Sequence, residues 1–169
     1  MKEAEPMIVE QNTPLVVCGI IGDETTLVVN KCLTGPFKNR YDLPTAPVTL
    51  RQTLSDSVTE IAANETGLTT AVESQLGTVQ WLFPESARML VSIFYLLEPV
   101  GGRLVTKRPA YTAALSAGAE RVPLVQLNWA NSSPLVLQAK RYLATGTFPI
   151  ADQVIASYPI PETPQFLLN

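Results

Sequence analysis

Asp56, Glu60, Asn64 and Glu65 are the oxygen-bearing side chains of one short segment, and the chemistry open to them depends on which of them share a face. Oxygen donors gathered on one helix face can hold a hard divalent cation, which can polarise a phosphoryl group or activate water. The alternatives are few. The chain has no histidine, which removes every Ser-His, Cys-His and His-metal arrangement and leaves acid–base work to carboxylates, Lys, Tyr or Cys. Cys18 and Cys32 sit in apolar runs without a Cys-x-x-Cys spacing, which reads as two buried free thiols in a reducing compartment.

The element that must position the carboxylates is a helix from about Thr53 to Glu65. Leu54, Val58, Ile61 and Ala62 recur at i, i+4, i+7 and i+8, one apolar stripe, and Gly67 stands where a left-handed residue would end the helix. At about 100° per residue, Asp56, Glu60 and Asn64 fall on a stripe far around from that face, the pattern of a solvated side. Glu65 instead shares the azimuth of Leu54 and Ile61. Its carboxylate therefore faces the sheet or a cleft, as a metal or water contact or as a group satisfied by loop amides.

Strands are expected on either side of this helix. Leu15 to Ile21 and Thr26 to Cys32 are β-branched apolar runs around Gly22-Asp23-Glu24-Thr25, which reads as a hairpin with Cys18 opposite about Val29. A short strand enters at Tyr41 to Leu43, Thr45 to Arg51 is irregular, and Gly77 to Phe83 and Met89 to Glu98 are strands, the second central. Gly101-Gly102 turns into a candidate strand at Arg103 to Lys107, and Pro109 to Ala119 holds a weak helical turn. Ser132 or Ser133 before Pro134 starts a helix running to Thr145, with Gly146 as its stop. Strands, a helix, strands and a final helix make an α+β domain.

A chain of 169 residues with 46% hydrophobic content fits one domain with a real core. A net charge of −3 and a pI near 5.0 argue against a nucleic-acid partner. They leave room for a local phosphate site at Lys31, Lys38 and Arg40, or at Arg103, Lys107 and Arg108. Tyr41, Trp81, Phe83, Tyr95 and Tyr111 could stack a base, although aromatics in strands usually serve the core. The beginning, MKEAEPMIVEQNTP, has neither the charge pattern nor the apolar run of a signal peptide or membrane anchor, so a cytoplasmic location is expected.

The stretch from Tyr41 to Leu68 resembles the Nudix box, G-x5-E-x7-R-E-U-x-E-E-x-G-U with U aliphatic, usually preceded by an aromatic and a Leu-Pro-Gly turn. Tyr41-Asp42-Leu43-Pro44 is similar to its opening, and Asn64-Glu65-Thr66-Gly67-Leu68 to its E-E-x-G-U close. Anchored on Gly67, Ala46 stands at the first Gly, Gln52 at the first Glu and Glu60 at the Arg. Ile61, Asn64 and Glu65 stand at the remaining Glu positions. Of the five charged positions only Glu65 keeps its type.

The resemblance implies a Nudix-like α/β/α sandwich with a mixed sheet between helices. The likeness covers roughly Leu15 to Thr145, so residues 1–12 are expected to be an N-terminal extension and 13–148 the domain, and the prolines of 149–169 read as a tail packed on the domain or a partner. It also implies a site built on Glu65, with Asn64 as a weak metal ligand; Tyr41, Leu43, Arg40 and Lys38 are the candidate ligand contacts. Glu60 joins the site only if a bulge turns it toward Glu65. The cofactor implied is Mg²⁺ or Mn²⁺ if the chain is active, or none. The partner implied is a nucleotide-like or other phosphorylated small molecule, without nucleic acid or membrane. Three functions stay open: a family protein with impaired or lost diphosphate hydrolysis that keeps a ligand cleft; an active Mg²⁺- or Mn²⁺-dependent pyrophosphohydrolase with atypical ligands, drawing on acids such as Glu98 and Glu120; and a non-catalytic interaction module, for example a homodimer.

Overall fold

The computed structural model describes residues 14–107 and 116–166. Strands β1 (Leu15–Ile20), β2 (Thr26–Cys32), β3 (Tyr41–Asp42) and β4 (Thr45–Pro47) precede helix α1 (Leu54–Thr66). Then follow β5 (Leu68–Phe83), β6 (Arg88–Gly102), β7 (Ser116–Pro123), helix α2 (Pro134–Thr145) and β8 (Gln153–Val154). Five strands form a mixed sheet in the order β4-β1-β6-β5-β8, and three form a second sheet, β3-β2-β7. In the first, β1 runs parallel to β6, while β4 on β1 and β5 on β6 are antiparallel.

The hairpin expected of the first two strands does not form. Beyond a single bridge from Gly22 to Leu27, β1 pairs with β4 and β6 while β2 pairs with β3 and β7. Cys18 therefore lies beside Thr45 and Phe94 rather than opposite Val29, and both cysteines are free. Both runs are buried on both faces, so each needs long-range neighbours that a local pattern does not name. The Asp23 carboxylate fixes the corner between the sheets, accepting from the Thr25 and Thr26 amides at 2.8 and 2.9 Å and from the Thr25 hydroxyl at 2.7 Å. The Thr25 hydroxyl and these amides hold it at about 2, below the usual carboxylate range.

Helix ends follow the sequence closely. Thr53 caps α1 by accepting from the Asp56 amide at 3.1 Å, and Gly67 closes it at φ 80°. A Cβ on Gly67 would stand 2.2 Å from the Arg103 carbonyl oxygen, so this position needs glycine for space as well as for its left-handed backbone. Ser133 caps α2 with Pro134 in the first turn and Gly146 at φ 73° beyond the end.

Three irregular segments depart from expectation. Thr45–Pro47 is a strand, β4, added to the edge of β1. Gly101 and Gly102 end β6 instead of opening a turn. Residues 103–107 form no strand: Arg103 and Val105 donate to the Gly67 and Thr66 carbonyls at 3.1 and 2.8 Å, pinning this coil to the end of α1. The helical turn expected in Pro109 to Ala119 lies outside the described residues as far as 115, and from Ser116 the chain is β7.

Alternation along the strands splits the core into two layers. Val17, Ile21, Val28, Ile93 and Tyr95 face α1 with Val58 and Ala62. Val16, Cys18, Ile20, Val29 and Phe94 face the other way, onto Leu135, Val136 and Ala139 of α2. Among the described residues no helix is long and apolar enough to cross a membrane.

Candidate functional site

A cleft of about 920 Å³ lies where the two sheets, α1 and the tail meet. Asn30 and Cys32 of β2, Asp42 and Leu43, Thr45 of β4 and Glu65 of α1 line it, as do the charged residues Glu85 and Arg88. Phe37, Phe83, Leu90, Ile155, Tyr158 and Ile160 make its apolar wall.

Asp42 is the best-defined polar group. One carboxylate oxygen, Oδ1, accepts from the Leu43 amide at 2.9 Å and from the Ser133 hydroxyl at 2.7 Å. Ser133 Oγ in turn accepts from the Val136 amide at 3.2 Å, so one side chain caps α2 and fixes the acid. Burial at the cleft floor outweighs these bonds and, with a smaller push from Glu65, raises Asp42 to about 7. A carboxyl at that value exchanges its proton near neutrality. Across the β2–β3 pair Asn30 stands opposite Asp42, and its buried side-chain carbonyl oxygen has no hydrogen-bond partner. That oxygen is a ready acceptor for a ligand donor.

The thiols are poor nucleophiles. Burial pushes both Cys18 and Cys32 up to about 12, which keeps them protonated at neutral pH. Cys32, half-buried in the cleft wall, donates to the Thr34 carbonyl at 3.1 Å.

The residues singled out in the sequence scatter around this cleft. Glu65 and Leu43 line it. Tyr41 points away: its hydroxyl donates to Glu120 Oε2 at 3.0 Å and its ring lies 5.6 Å from Phe166. Arg40 is buried, with its guanidinium 4.0 Å above the Tyr158 ring. Lys38 is exposed on the loop before β3 and Asn64 is exposed on α1, and neither lines the cleft. Lys31 is buried 3.9 Å from Glu120, and Glu98 is exposed on β6. Trp81 and Tyr95 belong to the core, as strand aromatics usually do; Tyr111 and Arg108 lie outside the described residues. Helix α1 is α-helical from end to end, so the bulge on which a role for Glu60 depends is absent. The exposed Glu60 carboxylate accepts from the Gln52 side-chain amide, and Gln52 accepts from Ser57 at 3.3 Å, tying the loop to the helix.

Asp42, Asn30, Phe37 and Tyr158 were missed from sequence. Period-two alternation at Tyr41-Asp42 does carry a signal, because a strand that buries Tyr41 on one side turns Asp42 to the other. No local pattern places Tyr158 there, since it arrives from the tail.

A hard divalent ion takes six or more oxygen ligands, several of them anionic. Among the described residues no three acidic or thiol side chains converge in a way that could hold one. The donor set of Asp42, Glu65 and the Asn30 carbonyl does not fit a Mg²⁺ or Mn²⁺ centre.

No protein-family model matches the chain. An ADP-ribose pyrophosphatase from Methanocaldococcus jannaschii is 30% identical over 90 residues, covering 53% of this chain and 53% of that protein, so the match spans about half of that relative's length. A Nudix hydrolase structure from Nitrosomonas europaea aligns with a TM-score of 0.61 at 12% identity, over 87% of this chain and 81% of that one. The Nudix domain of Shewanella oneidensis NrtR, in a cocrystal with ADP ribose, aligns with a TM-score of 0.57 at 18% identity, over 78% and 88%. These likenesses show the α+β Nudix fold, with a mixed sheet and two helices.

Proposed function

We propose that the chain is a Nudix-superfamily protein with impaired or lost metal-dependent diphosphate hydrolysis, whose cleft binds a nucleotide-like or other phosphorylated ligand. One observation carries this reading. Of Ile61, Asn64 and Glu65, the helix positions that match the box's last three Glu residues, only Glu65 lines the cleft. Hydrolysis of a diphosphate in this family's manner depends on a cation neutralising developing charge and activating water, and a single helix carboxylate is a poor cage for one. Ile61 carries a branched alkyl group at a position where the box has an anionic oxygen. Glu60 is engaged by Gln52.

The ligand class is supported by the cleft and by the relatives. The cleft's volume, about 920 Å³, suits a small molecule of nucleotide size. The curated relative is named for ADP-ribose, and the NrtR domain was crystallised with it. In this chain, Asp42 and the Asn30 carbonyl offer hydrogen bonds and the apolar lining offers packing. Incubation with ADP-ribose and Mg²⁺ or Mn²⁺ tests the proposal. It predicts a raised unfolding temperature with ADP-ribose and product release no faster than the protein-free control. Metal-dependent turnover that disappears in Glu65→Gln contradicts it.

A further inference from the structure

Resting on the reading of the cleft as a ligand site, we propose that the C-terminal tail builds the subsite for a planar aromatic ring, with Tyr158 as its platform beside Phe37 and Phe83. The tail is fastened to the domain at several points. Strand β8 adds parallel to β5, and the Ile155 amide donates to the Leu82 carbonyl at 2.8 Å. The Asn39 side-chain amide donates to the Pro161 carbonyl at 2.7 Å, and the Gln165 amide to the Asn39 carbonyl at 2.8 Å. Between these anchors residues 155–160 line the cleft.

Tyr158 is held as a platform needs to be. Its hydroxyl donates to the Ser132 carbonyl, the Arg40 guanidinium covers one face at 4.0 Å from the ring centroid, and the Trp129 ring packs on it at 6.1 Å and 76°, so a stacked group uses the face away from Arg40. Arg40 is buried, and its Nε and Nη1 have no hydrogen-bond partner, so its contact with the ring is the clearest role the structure gives it. The rings of Phe37 and Phe83 lie 6.0 and 6.5 Å from Tyr158 and 6.2 Å from each other. Their planes are inclined at 80°, 51° and 54°, so no two of the three stack in parallel. The edge-to-face contact of Phe37 with Tyr158 is itself favourable, and it leaves the offset-stacked arrangement to an incoming flat heteroaromatic group. The unpartnered Asn30 carbonyl in the same cleft is a second mark of a ligand.

Calorimetric titration of the full chain with ADP and with inorganic pyrophosphate separates the ring from the phosphates. The proposal predicts that ADP binds at least about tenfold more tightly than pyrophosphate, the scale of one base stacked on one aromatic side chain. Tyr158→Ala removes most of that ratio, whereas Tyr158→Phe, which keeps the ring and loses the bond to Ser132, retains it. Phe83→Leu, read beside its unfolding temperature, is the second variant should Tyr158→Ala fold poorly, and it also lowers the ratio. An equal affinity for the two compounds, or a ratio unchanged in Tyr158→Ala and Phe83→Leu, overturns the subsite and leaves the ligand cleft standing. Failure of the wild type to bind either compound overturns both.

Discussion

At Asp42 two opposing effects meet, burial at the cleft floor against hydrogen bonds from Leu43 and Ser133, and burial wins. Its carboxyl rises from an ordinary 3.8 to about 7, so between those values the folded chain holds a proton that the unfolded chain has released. By linkage the stabilisation from that proton is complete below about 3.8 and is lost as pH rises through 7. Glu65, Cys18, Cys32 and Tyr158 are its ionisable neighbours, and burial keeps both thiols and the phenol neutral across this range. Wild type is therefore expected to lose stability relative to Asp42→Asn between pH 5 and 8, measured by thermal unfolding of both proteins. A constant difference across that range contradicts the assignment.

At the scale of elements, α1 was legible in the sequence because every determinant is local: the Thr53 cap, the apolar stripe and Gly67. The same holds for α2 between Ser133 and Gly146. Gly67→Ala combines a strained left-handed alanine with a Cβ 2.2 Å from the Arg103 carbonyl. It is expected to cost more than about 1 kcal/mol by urea unfolding. Ser133→Ala removes a cap, worth about 1 kcal/mol, and one of the two bonds to Asp42. It should destabilise the chain and also raise the Asp42 pKa, readable in the pH profile of stability. The strand partners were less legible. Leu15–Ile20 and Thr26–Cys32 look like the arms of a hairpin, and what separates them into two sheets is pairing with Arg88–Gly102 and Ser116–Pro123, far along the chain. The site shared this limit: Glu65 could be placed on a helical wheel, whereas Tyr158 reaches the cleft only through tertiary packing.

At the scale of the whole molecule, the tail is a structural member of the domain. Phe166 is 7% exposed and packs on Tyr41, while Tyr158 lines the cleft. If the tail unfolds together with the sheets, Phe166→Ala should lower global stability by about 3 kcal/mol, the scale of a buried Phe truncation. An unchanged denaturation midpoint would mean that the tail opens by itself. The proposed function requires that the cleft gather too little charge to work as a metal-dependent hydrolase. Calorimetric titration with Mg²⁺ and Mn²⁺, with and without ADP-ribose, tests this most directly. No saturable metal binding at millimolar concentration or tighter is expected, with the same heats in Glu65→Gln. Metal binding in that range that vanishes in Glu65→Gln contradicts it.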